Sequence, residues 1–169
     1  METRGKQLKQ SIFQTDDSRG PLILRVLLAT VIFPHGAQKL FGIFGGFGFA
    51  DTMDYFTTFV GLPYSIGLGV ILLETIGVLA LLLGFGTRLL AISFTILGLG
   101  IAFTSHLENG FFMNWYGNQT GEGIEYFLLW IAITCSLVYT GAGRYSVDNW
   151  LYNRSILSQE NYWITPGKS

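Results

Sequence analysis

The sequence predicts an all-α fold: a four-helix bundle embedded in a membrane, with both termini on the cytoplasmic side. Three observations lead there. Half of the 169 residues are apolar and only 12% are charged, where a soluble domain carries about 25%. The apolar residues gather into four segments long enough to suit a bilayer. Lys and Arg avoid two of the connecting segments altogether. The length suits one domain, and a net charge of −1 offers no basic surface for nucleic acid.

A helix needs roughly 20 mostly apolar residues to cross a hydrocarbon core of about 30 Å. Spans are expected at about residues 21–40, 62–83, 88–106 and 124–142, within a transmembrane domain covering 21–148. Polar tails are expected at 1–20 and 149–169. The first span is apolar from Leu22 to Phe33 apart from Arg25, and it ends in His35, Gln38 and Lys39. Pro34 lies inside it, removes one helical hydrogen bond and predicts a kink. A cleaved signal peptide is not expected: Arg4, Lys6 and Lys9 lie too far upstream, Arg25 interrupts the apolar run, and no small-x-small site follows. The second span carries one charge, Glu74. The cores of the third and fourth, from Leu89 and Tyr126 onward, carry none and are shorter. Cys135 is the single cysteine. It excludes an intramolecular disulfide and a Cys-x-x-Cys pair, so redox chemistry would need a bound cofactor, a quinone or a partner.

Orientation follows the basic residues. Arg4, Lys6, Lys9 and Arg19 precede the first span, Arg88 sits in the short link after the second, and Arg144, Arg154 and Lys168 follow the fourth. The longer links, 41–63 and 106–123, hold Asp51, Asp54, Glu108 and Glu122 and no Lys or Arg. Those links therefore face outward, and the natural location is the inner membrane of a bacterium, multi-pass. Both are rich in aromatic residues and glycine. They read equally as a partial cap over the bundle or as an aromatic belt at the interface. The Gly42/Gly45/Gly46/Gly48 cluster follows no strand, so a nucleotide loop is rejected.

Charged groups at bilayer depth are costly and usually turn inward to find partners. On the first span Arg25, Leu28, Ile32, His35 and Lys39 follow helical steps and form one seam. On the second, Glu74 shares a side with Gly67 and Gly77. On the third, Gly98, Ala102 and His106 form a small-residue stripe. On the fourth, Glu125, Ala132 and Ser136 share a face. If the stripes converge, Arg25 and Glu74 form a buried ion pair, and His35, Lys39, His106 and Glu125 form an outer polar pocket. Such a pocket could bind a polar ligand and handle its protons. Each residue also has a structural reading: a simple ion pair, a snorkelling lysine, a helix-terminal carboxylate favoured by the helix dipole.

The ordered motifs carry a family resemblance. They are Arg25-Val-Leu-Leu-Ala and Phe33-Pro-His-Gly-Ala-Gln-Lys-Leu on the first span, and Glu74-Thr-Ile-Gly followed by Leu83-Gly-Phe-Gly-Thr-Arg88. His106-Leu-Glu-Asn-Gly-Phe-Phe and Gly141-Ala-Gly-Arg-Tyr-Ser-Val-Asp148 follow. From about Leu22 to Asp148 the chain resembles the DoxX family of small bacterial four-helix membrane proteins, which includes DoxD-like subunits of a thiosulfate:quinone oxidoreductase. The resemblance implies a role beside other redox enzymes in membrane complexes and assigns no catalytic residue.

The leading expectation is a quinone-linked oxidoreductase subunit with the outer pocket at the quinone head group. The sequence identifies no cofactor; a quinone is the one its polar set admits, and haem or metal is not expected. His35 and His106 as axial ligands of a b-type haem, or two histidines and a carboxylate around zinc or copper, have little else in the chain to support them. The alternative class is non-enzymatic: a scaffold or assembly partner, or a small transporter. Expected partners are the lipid bilayer and membrane redox subunits, and a homo-oligomer is compatible.

Overall fold

The computed structural model describes residues 15 and 17–154, and these are helical or irregular with no strand among them. Four long helices form the body: α1 (Gly20–Phe41), α3 (Tyr64–Leu83), α4 (Thr87–Asn109) and α5 (Glu125–Thr140). A short helix, α2 (Gly48–Asp54), and the helical residues 147–154 (α6) flank them. Arg4, Lys6, Lys9 and Lys168, which the orientation argument uses, lie outside the described residues. Helices α1, α3 and α4 are each long and apolar enough to cross a membrane. With 16 residues, α5 is about 24 Å long at 1.5 Å per residue. It is extended by the ordered segments on either side.

These helices are apolar nearly all round, the pattern of elements that meet lipid on one side and protein on the other. Ile23, Leu27, Leu72, Ile76, Leu79, Ile96 and Leu129 are exposed on the outside. Inside, Leu28, Ile32, Val78, Leu81, Ala91, Phe94, Trp130 and Leu137 form one core. Lipid tails are as apolar as leucine, so close backbone approach and interhelical hydrogen bonds must set the packing. Both occur. The Trp130 indole donates to the Phe94 carbonyl at 2.9 Å, and the hydroxyls of Thr95 and Thr134 meet at 2.8 Å. A Cβ on Gly98 would touch the Trp130 ring at 3.1 Å. These contacts fix the buried stripe of α5 as Phe127, Trp130, Thr134 and Leu137. The expected face through Glu125, Ala132 and Ser136 is therefore wrong: Ala132 is exposed, because the indole and the threonine, not the small residues, find partners on α4. α1 runs through Pro34 as one helix.

The link 41–63 is not a simple loop. Left-handed glycines at Gly42, Gly45 and Gly48 turn the chain back. α2 then buries Thr52 and Met53 and runs into a widened turn at Tyr55–Phe59.

Arg25 departs furthest from expectation. It is wholly buried and does not pair with Glu74, whose carboxylate meets Lys39 instead. The guanidinium donates from Nη1 to the Leu82 carbonyl at 2.5 Å and the Leu81 carbonyl at 3.3 Å, and from Nη2 to the Tyr145 carbonyl at 2.7 Å. The last carbonyls of a helix have no intrahelical partner, and the end of α3 finds one in an arginine from α1. Gly84 follows with φ +70°, where a Cβ would stand 2.7 Å from Arg25 Nη1 and 2.5 Å from Ser146 Cβ. Asp148 completes the knot. Its carboxylate accepts from the backbone N–H groups of Gly86 and Thr87 at 2.8 and 2.9 Å, capping α4, and its own N–H donates to Gly84. Glu74 lies about two turns from Leu82, near the middle of α3 and away from this knot.

Arg25→Met would leave the Leu82 and Tyr145 carbonyls without their donor in a buried, low-dielectric site, while Leu81 keeps the Gly84 N–H. The expected loss is on the order of 3 kcal/mol, read as a lowered melting temperature of the detergent-solubilised protein by circular dichroism.

Candidate functional site

The polar residues of the opposite end come together through two irregular turns. Glu74 lies in a widened helical turn, Leu73–Gly77, and His106 closes another, Ala102–His106. Such turns re-aim side chains within a helix and recur at functional sites. The backbone at Glu74 approaches α1 so closely that a Cβ on Gly36 would sit 2.2 Å from the Glu74 carbonyl oxygen. Only glycine fits there. Gly36 therefore lets α1 slide against α3, and Lys39, three residues further along, reaches the carboxylate: Nζ to Oε2 is 2.6 Å. Glu74 is 3% exposed and Lys39 26%. The pair thus joins a buried anion to a cation at the edge of a cavity.

That cavity, about 410 Å³ and open on one side, is lined by α1, Glu74 of α3, α4, α5 and the segment before α5. His35, Lys39, Glu74, His106, Glu122 and Tyr126 bring polar groups to it, and Ile32, Ile101, Phe127 and Trp130 supply apolar wall. The His35 imidazole makes no hydrogen bond among the described residues. His106 is held on both sides. Its Nδ1 lies 2.8 Å from the Glu122 carbonyl, and its ring lies tilted against Phe127 with the centroids 4.7 Å apart. A carbonyl can only accept, so a neutral His106 carries its hydrogen on Nδ1 and leaves Nε2 free to take a proton.

The segment before α5 is tied back on itself. Gly123, Ile124 and Glu125 donate to the Phe112, Gly110 and Phe111 carbonyls, and the Glu122 carboxylate accepts from the Asn114 N–H at 2.6 Å. This fold-back brings Glu122 to the cavity. Glu125 is absent from the lining and meets the Trp115 indole at 3.4 Å. Glu122, in the segment before α5, and Tyr126, in its first turn, stand where Glu125 was expected. Glu122 reads as a loop charge, and only the fold-back of its segment brings it to the cavity.

Among the described residues no group of three His, Cys, Asp or Glu could hold a metal ion. The arrangement can instead seat a compact, partly apolar molecule with acceptor oxygens. A cationic donor, a phenol and two imidazoles line its walls, and the volume falls in the range of small-molecule sites.

The Lys39–Glu74 contact predicts energetic coupling. A double-mutant cycle of Lys39→Met and Glu74→Gln, followed by thermal melting in detergent, should give a coupling of about 1 kcal/mol or more. Additive effects would mean the two side chains act independently.

No solved structure matches the chain. Among characterised sequences, the chain is 27% identical over 133 residues to "Putative oxidoreductase CatD" of Bacillus subtilis (strain 168), covering 79% of this chain and 87% of that protein. The DoxX family model matches residues 20–107, from the start of α1 into the end of α4. The resemblance read as far as Asp148 extends beyond that match, to α5 and the Asp148 cap. Since the match takes in more than half of the sequence, including Arg25, Gly36, Lys39, Glu74 and His106, the chain belongs to the DoxX family.

Proposed function

We propose that this DoxX protein is the quinone-handling subunit of a membrane oxidoreductase, with the head group seated in the cavity beside Lys39, Glu74 and His106. The observation that carries the reading is the meeting of a 2.6 Å Lys–Glu pair, two histidines and a tyrosine against an apolar wall in one cavity of a membrane bundle. The relative's name, an oxidoreductase, points the same way. A quinone supplies two-electron, two-proton carrier chemistry when bound.

The chain's own residues would do the binding and the proton work. Lys39 is a fixed donor for a carbonyl oxygen, held in place by Glu74. His106, oriented through Nδ1, offers Nε2 as a proton acceptor. His35 adds a second titratable group on α1. Phe127 and Trp130 offer flat faces to a ring. Electrons would pass to or from a partner protein in the membrane. By the basic-residue asymmetry this end of the bundle faces the outside of a bacterial inner membrane, with both termini inside.

His35→Ala with His106→Ala, assayed on purified protein by quenching of tryptophan fluorescence with a soluble benzoquinone, should weaken binding by about tenfold or more, the loss of one or two hydrogen bonds. Unchanged binding in the double variant would dismiss this pocket as the quinone site.

A further inference from the structure

A second space opens against the first. Helices α3 and α4 pack together near the Gly84 turn, in the 73–83 half of α3, and separate toward the other end. The groove left between them measures about 670 Å³, larger than the polar cavity. The two spaces share four residues: Lys39, Glu74, Ile101 and His106. The polar group that ends one therefore begins the other.

The lining of the groove is of a different kind. Ile66, Val70, Leu73, Ile96 and Leu97 form its walls. Two of its hydroxyls are turned back on their own helix: Ser93 donates to the Leu89 carbonyl at 3.0 Å and Thr104 to the Gly100 carbonyl at 2.8 Å. Those two ask nothing of an occupant. Gly69 and Gly100 face each other's groove with open space, for a Cβ on either would meet nothing within 4 Å. These are small residues where no close helix approach requires them, unlike Gly36 or Gly98.

A polar cavity bordered by an apolar groove, with four lining residues in common, fits an amphiphile with a small polar head and a long hydrocarbon tail. We infer that the groove between α3 and α4 is the tail site, so that the ligand of this protein is a lipid-tailed quinone and not a soluble one. This rests on the quinone reading of the polar cavity and adds the substrate class to it.

The test uses two probes on the full-length purified protein: 2,3-dimethoxy-5-methyl-1,4-benzoquinone and its 6-decyl derivative. Gly69→Leu and Gly100→Leu fill the groove without touching the polar cavity. The wild type should bind the decyl compound tighter than the tail-less one by about tenfold or more, the gain of only two net methylenes out of ten. In the filled variants that ratio should fall toward one while tail-less binding is unchanged. A ratio that stays at the wild-type value would overturn the tail site and leave the head-group reading standing. Binding of neither probe to the wild type would overturn both. Should the leucine variants fail to fold, a decyl quinone carrying a terminal diazirine gives the answer on the wild type. Labelling within residues 55–73 and 93–105 supports the proposal, and labelling confined to other faces overturns it.

Discussion

One buried guanidinium holds the frame together. Arg25 comes from the middle of the first turns of α1, reaches the frayed carbonyl end of α3, and takes a third carbonyl from the segment after α5. In water such an arginine would gain little. Inside a membrane each free carbonyl costs several kcal/mol, so a donor that alone satisfies Leu82 and Tyr145, on two other elements, binds those elements to α1. Asp148 carries the compensating charge and caps α4 with the same side chain. Four helices thus share one knot at one end of the bundle.

Because that end is closed, the other is free to diverge. The widened turns at Glu74 and His106 lie away from the Gly84 knot. They aim two ionisable side chains inward at the level of Lys39. Gly36 makes this geometry possible by removing the Cβ that would otherwise hold α1 away from the Glu74 backbone. The apolar groove follows from the separation of α3 and α4 beyond Glu74, and the Lys39–Glu74 pair stands at the border it shares with the polar cavity. An ion pair there has to be well made, since its carboxylate is almost wholly withdrawn from solvent.

The all-α membrane class was legible in the sequence. Low charge and apolar runs of span length follow directly from the absence of water in a bilayer, and any chain with them has few other folds available. The polar inventory was legible too, because ionisable residues at membrane depth stand out against leucine and isoleucine. Their partners were not. Arg25 and Glu74 looked like a pair because they were the two deepest opposite charges. The sequence does not show that Gly36 lets Lys39 reach Glu74, or that helix-end carbonyls serve Arg25 better than a carboxylate.

The facing of α5 belongs to the same limit. In lipid no hydrophobic gradient points a helix inward, so periodicity alone cannot choose its face. The Trp130 and Thr134 hydrogen bonds to α4 make that choice, and with it Tyr126 and Glu122 replace Glu125 at the cavity. Sequence by itself thus determined the solvent, the helical class and the stock of ionisable groups, through composition and span length. Tertiary structure decided which of those groups meet, because that depends on close approaches a few tenths of an ångström wide between residues far apart in the chain.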